Sequence, residues 1–257
     1  MNRRALSHTG SGEHLPARTV IDARGFASTA HLIGGWQVFM GRYLRTATPH
    51  AVTRPLIMDA RVEQPGAYRF VYVLPIGADE LLIEDTYYAD TPTLDRRALS
   101  ARIDAYCAAR GWQGDILGNE TGVLPVITGG NFGAWQAEIA VPGVARVGTR
   151  GGFAHPLTSY SLPQAVQTAL AIAADADLPG EQMAAMVEDR ARRHWRQTAF
   201  YRRLGAMLMG AGDPAERHRV FSRFYRLPQP LIERFYAGQS TLIDQARILC
   251  GKPPVPI

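Results

Sequence analysis

"YRFVYVLPIGADELLIEDTYY", residues 68–88, decides how this chain folds. Two runs rich in aromatic and β-branched residues flank Gly77–Asp79. The stretch therefore predicts two strands joined by a turn and paired antiparallel. Its second half poses a problem. Leu81, Leu82 and Ile83 favour a strand, Glu84 and Asp85 interrupt them, and Thr86, Tyr87 and Tyr88 resume. Neighbouring residues on a strand face opposite ways, so one acid can reach water while the other points toward a core or a cavity. An inward carboxylate left charged and alone costs on the order of several kcal/mol, so it pairs or takes up a proton. The plainer alternative is a strand end, with both acids marking the exit into a turn. If the two strands pair, Tyr68, Phe70, Tyr72, Tyr87 and Tyr88 come near the acids. An aromatic cavity with one protonated acid suits cationic carbon chemistry. The acid donates a proton, and each ring face stabilises a cation by about 0.5–2 kcal/mol.

Outward from this hairpin the chain is mixed. Thr19–Ile21 reads as a strand ending at Asp22 and a turn with Gly25, a place where backbone can approach a cofactor closely. Residues 27–140 hold further strand-like pieces, "WQVFM" and "QAEIAV" among them. Inside this block "DRRALSARIDAYCAARGW" has helical spacing, with Leu99, Ile103, Tyr106 and Cys107 on one face and Gly111 closing it. Residues 144–174 read as the strand "VARVGT", a glycine turn and a helix. In "VGTRGGFAHPLTSYSLPQAV" (147–166), Gly148, Gly151 and Gly152 permit close backbone approach. Thr158, Ser159 and Ser161 can cap the following helix, whose N-terminus suits an anion. The alternative is an ordinary strand-to-helix turn. A serine-hydrolase reading of His155 and Ser161 fails, because no Gly-x-Ser-x-Gly elbow is present.

The last eighty residues read as helical, broken at Pro179, Pro214 and Pro228. One long helix is expected from about Glu181 to Met209, with Arg190, Arg192, Arg193, Arg196, Arg202 and Arg203 beside an apolar stripe. Such a helix either docks on an anionic membrane surface or buries its stripe in the core and solvates its arginines.

The bulk numbers set bounds. With 257 residues, 46% hydrophobic and 20% charged, the chain has globular rather than disordered composition. The net charge of +5 is carried almost wholly by arginine, since Lys252 is the single lysine. No nucleic-acid reader motif accompanies it. Cys107 and Cys250 suggest neither a disulfide framework nor a metal site, which fits a reducing interior. No apolar run reaches the ~18 residues needed to span a bilayer, and the N-terminus lacks the apolar segment of a signal peptide.

Several stretches together resemble the bacterial lycopene β-cyclases, a branch of the FAD-binding carotenoid cyclases. They are "VIDARG" (20–25), "GGWQVFMGRYL" (34–44), "PHAVTRPLIMDARVEQPGAYRFVYVLP" (49–75), "LLIEDTYY" (81–88), "ETGVLPVITGG" (120–130), "VGTRGGFAHPLTSYSLP" (147–163) and "LPQPLIERFYAGQSTLIDQARILCGKPPVPI" (227–257). The resemblance implies an enzyme that closes the ends of linear lycopene into the rings of β-carotene without net redox change. It uses reduced FAD, with NAD(P)H as reductant. It places the catalytic acid on Glu84, with Asp85 assisting. Glu120, Asp59, Tyr68 and Phe70 are expected near the substrate. Asp22, Gly25, Gly148, Gly151, Gly152, His155, Pro156 and Thr158 are expected at the cofactor, and no metal is.

The implied fold class is α+β. Residues 1–26 are the remnant of the first segment of an FAD-binding, three-layer Rossmann-like domain. Residues 27–142 form a mixed or antiparallel substrate-binding sheet. Residues 143–178 return a strand and helix to the FAD domain, and 179–257 form a helical, membrane-facing region. The expected setting is peripheral, on the cytoplasmic side of the bacterial inner membrane, beside partner carotenoid enzymes. The alternatives are a related FAD-dependent isoprenoid reductase or hydroxylase, and a non-catalytic membrane-associated fragment.

Two departures from the family pattern matter. The Gly-x-Gly-x-x-Gly dinucleotide fingerprint is missing; "HTGSGEH" and "TGGNFGAW" have the wrong spacing. The expectation is a chain that starts inside the family's architecture, either truncated, with weak FAD binding and little activity alone, or completed by a second chain. The second departure is Ser159, where the family usually has glycine. If that position needs positive φ, serine costs something.

Overall fold

A computed structural model describes residues 5–8, 14–210, 213–251 and 254–255. The chain divides into two compact units. One comprises Met1–Ile33, Ile127–Ala206 and Gln229–Leu249; the other comprises Gly34–Val126, Met207–Pro228 and Cys250–Ile257.

The second unit is built on a five-stranded sheet. Its strands β4 (Leu32–Thr46), β5 (Leu56–Asp59), β6 (Arg69–Pro75), β7 (Glu80–Ala89) and β8 (Gly114–Gly130) lie in the order β5-β6-β7-β4-β8. The 68–88 hairpin forms as expected, with Arg69 opposite Tyr87, Tyr72 opposite Glu84 and Pro75 opposite Leu81. On the other flank of β7, Gly41 lies opposite Glu84 and Met40 opposite Asp85. β7 runs on to Ala89, so the two acids stand mid-strand rather than at an exit into a turn.

Alternation sorts this sheet into two faces. One carries Val38, Met40, Leu44, Val71, Val73, Leu81 and Ile83, all buried. It is covered by α1 (Arg96–Ala108), whose buried residues are the predicted Leu99, Ile103, Tyr106 and Cys107. Asp95 caps α1 by accepting from the Ala98 N–H, and Gly111 leaves the helix at φ +69°. Buried ions also lie on this face. Arg42 meets Asp104 and Ser100 of α1, and Asp59 accepts from Arg61, Arg110 and the Tyr106 hydroxyl.

In the first unit β1 (Ala5–His8) pairs antiparallel with β2 (His14–Ala17). The predicted parallel strand exists: β3 (Val20–Asp22) pairs with β9 (Val144–Arg146), Val20 opposite Val144. Its core gathers Phe132, Trp135, Ala145, Phe153, Met183, Val187 and Ala191. "QAEIAV" is not a strand. Asn131 caps α2 (Phe132–Glu138) through the Ala134 N–H, and burial of Phe132 and Trp135 holds that helix against the core. The α3 helix spans Leu162–Ala174.

The long C-terminal helix is two helices, α4 (Gly180–Gln197) and α5 (Ala199–Gly210). At the break, the Thr198 hydroxyl donates to the His194 carbonyl (2.7 Å), a back-bond that bends helices. α4 buries its apolar stripe and leaves Arg192, Arg193 and Arg196 exposed, the solvated-arginine alternative. The helices after residue 179 form no region of their own. α7 (Gln229–Tyr236) and α8 (Leu242–Leu249) belong to the first unit, while α6 (His218–Phe224) belongs to the second, where Phe221 stacks on Tyr68. Each helix follows the apolar surface it must cover. No described helix is long and apolar enough to cross a membrane.

Ser159 has φ +58°, the left-handed conformation anticipated for it. An L-residue pays about 1–2 kcal/mol there, and glycine recovers part of that at an entropic cost of about 0.5–1 kcal/mol. Ser159→Gly is expected to stabilise the chain by about 0.5–1 kcal/mol, read as a higher urea unfolding midpoint.

Candidate active site

The opposite face of the five-stranded sheet has a different character. Successive rows across β6, β7 and β4 read Phe70–Thr86–Phe39, Tyr72–Glu84–Gly41 and Leu74–Leu82–Tyr43. Tyr68 and Tyr88 extend it: the Tyr88 N–H donates to the Tyr68 carbonyl (3.0 Å), and the Gln37 amide donates to the Tyr88 hydroxyl (2.8 Å). The rings contact one another. Tyr68 lies 5.1 Å from Phe70 and 5.7 Å from Tyr88, and Phe70 meets Tyr72 edge-on at 5.3 Å. The stack of Phe221 on Tyr68, at 4.1 Å and 8°, closes one end.

Glu84 is the acid of this aromatic face. Its carboxylate accepts one hydrogen bond, from the Thr86 hydroxyl at 2.9 Å. Burial pushes its pKa up; the Thr86 bond pulls it down and the nearby Glu120 carboxylate pushes it further up. Glu120 reaches it across Gly41. A Cβ on Gly41 would stand 2.9 Å from the Glu120 Cγ and 3.0 Å from Oε1. On the same strand pair, a Cβ on Gly122 would overlap the Phe39 ring. Two glycines inside strands thus let a carboxylate and an aromatic ring lie flat across the sheet, which is why Gly interrupts β4 and β8 despite its cost.

Asp85 is on the other face. It is fully buried beneath α1, and Arg69 grips it: Nε donates to both carboxylate oxygens at 3.0 Å and Nη2 to Oδ2 at 2.5 Å. Desolvation raises the Asp85 carboxyl and the Arg69 guanidinium opposes that. The two acids of the sequence motif therefore do different work. Asp85 is bound in an ion pair away from the aromatic face, and Tyr87 goes with it, under Arg102 at 5.4 Å. Asp59 is buried on the same side and occupied by Arg61, Arg110 and Tyr106. Of the residues expected near a substrate, Glu84, Glu120, Tyr68 and Phe70 come together; Asp59 and Asp85 do not join them. Sequence reading missed Thr86, Gly41 and Arg69. Gly41 and Gly122 inside strand-like runs were a readable signal of close approach, whereas nothing local marks Arg69 as the partner of Asp85.

The residues expected at a cofactor all lie in the first unit. Asp22 accepts from Arg24 (2.8 Å) and Arg150 (3.2 Å), which hold its carboxyl far below the usual range. Among the described residues, Gly25 (φ +89°) and Gly148 (φ +59°) have nothing within 4 Å of where a Cβ would stand, so both offer open backbone. Gly151 and Gly152 serve the chain itself, with Cβ positions blocked by the Arg146 carbonyl and the Phe132 ring. The 155–160 loop closes on itself. The Ser159 N–H donates to the His155 carbonyl, and the His155 N–H to the Tyr160 carbonyl, both at 2.8 Å. The Ile127 N–H donates to the Pro156 carbonyl. His155 Nδ1 accepts from the Leu157 and Thr158 N–H groups (3.3 Å each), and burial drives its pKa down to about 3, so the ring is neutral. Ser161 makes no side-chain cap bond, contrary to expectation, which leaves the N-terminus of α3 uncapped by side chains.

Residues 2–257 match the family described as lycopene cyclase protein. The chain belongs to that family. It is 47% identical to the lycopene beta-cyclase of Pseudescherichia vulneris and 45% identical to that of Pantoea ananas. Each alignment covers 96% of this chain and 64% of the relative, so the chain spans less than two thirds of those proteins' length. Among solved structures, the tetracycline destructase Tet(51) is similar in fold, with a TM-score of 0.52 at 10% identity over 98% of this chain and 68% of that one. The motifs that carried the resemblance thus belong to a family match along nearly the whole sequence.

The raised pKa of Glu84 has a sign that can be checked. Its folded carboxyl binds a proton more tightly than the unfolded one. It therefore contributes stability below the ordinary carboxylate range, and that stability is lost as pH rises through the elevated value. At pH 8, Glu84→Gln is expected to be at least as stable as the natural chain. Asp85→Asn, which strands the buried Arg69 cation, is expected to lose about 3–5 kcal/mol. Urea denaturation of both variants checks the contrast.

Proposed function

We propose that this chain provides the acid-bearing sheet of a lycopene β-cyclase and that Glu84 is its proton donor. One observation carries the reading. A carboxyl with raised pKa stands on a sheet face lined by Phe39, Phe70, Tyr72 and Tyr88. Protonation of an isolated carbon–carbon double bond needs an acid that still holds its proton, and burial shifts Glu84 in that direction. The Glu84 O–H bond breaks as a C–H bond forms at the terminal double bond of linear lycopene, leaving a tertiary cation. The next double bond, the first of the conjugated polyene, gives its electron pair to that cation and closes a six-membered ring. Loss of one proton from the ring restores a double bond, so neither oxidant nor reductant is consumed. The aromatic faces stabilise the cation by about 0.5–2 kcal/mol each, and a dry surface keeps water from trapping it. Reaction at both ends yields β-carotene.

Reduced FAD would be held in the first unit by the open backbone of Gly25 and Gly148 and by the α3 N-terminus, where an anion is favoured. When bound it would supply negative charge, with NAD(P)H as the reductant that keeps it reduced. Asp22 and the His155–Thr158 loop would position those contacts. In this reading the three-layer FAD-binding architecture includes β3, β9 and α3. The substrate partitions into membranes, and α8 suits a lipid surface: Leu242 and Ile243 are each 82% exposed while its acid, Asp244, is buried against Arg234. This supports a reading in which the protein sits peripherally on the cytoplasmic face of the inner membrane, beside other carotenoid enzymes.

Expression of this chain joined behind the dinucleotide-binding segment of a related lycopene beta-cyclase, in cells that accumulate red lycopene, is expected to turn them yellow-orange, with β-carotene identified by chromatography. Glu84→Gln is expected to reduce cyclisation by at least about 100-fold, the scale of a general acid, with bound flavin unchanged. Full cyclisation by that variant would overturn the assignment.

A further inference from the structure

We propose that Glu120 is a positioning residue that holds Glu84 in its proton-bearing form, and that Gly41 is the gap through which it acts. This rests on the reading of Glu84 as proton donor. The geometry is a row across three strands. Tyr72 flanks Glu84 on β6, Gly41 flanks it on β4, and beyond Gly41 the side chain of Glu120 on β8 lies down into the space a Cβ would take. Any side chain at Gly41 would meet the Glu120 side chain.

The groups facing Glu84 can be named element by element. Thr86, on its own strand, donates a hydrogen bond. Tyr72 is its cross-strand neighbour on β6. Gly41 on β4 contributes no side chain, and the cation that follows, Arg42, points to the opposite face and meets Asp104 and Asn119. Among the described residues, Glu120 is the charged group that acts on Glu84, and it does so as a like charge. A neighbouring like charge disfavours ionisation of a partly buried carboxyl. Glu120 is exposed and Glu84 half-buried, so burial and the like charge both disfavour ionisation of Glu84, on the aromatic face. After proton transfer to carbon, the same repulsion favours return of a proton to Glu84 and readies it for the second end of the polyene.

The test is a carboxyl titration of the full chain labelled with carbon-13 glutamate, the Glu84 signal being assigned by its loss in Glu84→Gln. Glu120→Gln is expected to move the Glu84 midpoint to lower pH, and Glu120→Asp to restore most of the shift. Gly41→Ala, which displaces the Glu120 side chain at its flexible Cγ, is expected to lower the midpoint as Glu120→Gln does. An unchanged or raised Glu84 midpoint in both Glu120→Gln and Gly41→Ala would overturn the proposal. The pH profile of cyclisation separates this from the functional reading. If Glu84 is the donor, its alkaline limb moves down in Glu120→Gln together with the titration. A titration that moves while cyclisation does not would keep the carboxyl pair and remove Glu84 as the donor.

Discussion

The buried ion pair between Arg69 and Asp85 is the constraint on which the site depends. Side chains of a strand alternate with a period of two, so a one-residue slip of β7 would exchange the faces of Glu84 and Asp85. Three hydrogen bonds from one guanidinium to one carboxylate, at 2.5–3.0 Å beneath α1, penalise that slip. A slipped register would bury Glu84 without a cation and send Asp85 toward the rings. Leu81 and Ile83 add apolar weight to the same choice, because both are fully buried on the α1 side. The pair is thus a device of specificity more than of net stability, since desolvating both ions consumes much of their attraction.

With the register set, the remaining features of the aromatic face follow from strand pairing. The rows that align Phe70 with Thr86 and Tyr72 with Glu84 need no further instruction. The glycines at 41 and 122 then admit Glu120 and Phe39, each lying across a neighbour that has no side chain. A carboxyl in this setting differs from its neighbour by environment alone. Asp85 is buried with a cation, whereas Glu84 is partly buried with a hydroxyl and a second acid. Two acids one residue apart thereby acquire separate roles, and the general rule that environment assigns acid–base function is met within a single dipeptide.

The first unit obeys a different economy. Its glycines divide between those the chain itself occupies, Gly151 and Gly152, and those left open, Gly25 and Gly148. Such a distinction is invisible in "GTRGG", where all three glycines look alike. Ser159 takes the left-handed conformation that glycine adopts without strain. By contrast "QAEIAV" misled, because its alternation suits a strand while Asn131 and the burial of Phe132 and Trp135 commit the segment to helix. The single long helix misled for a similar reason: periodicity runs through Thr198, where the hydroxyl bonds back to the His194 carbonyl and one helix ends.

What the sequence determined by itself was local and periodic. The 68–88 hairpin, the apolar face of α1, the strand at Val20–Asp22 and the split of neighbouring acids to opposite faces all follow from side-chain period and turn chemistry, which consecutive residues encode directly. The tertiary structure alone decided which face received which acid, that Arg69 would hold Asp85, that Glu120 would reach Glu84 across Gly41, and that Asp59 would be spent on Arg61 and Arg110. Those outcomes depend on residues distant in the chain meeting in a dry place. The strength of a charge there is set by the water removed and the partners supplied, neither of which a linear spacing records.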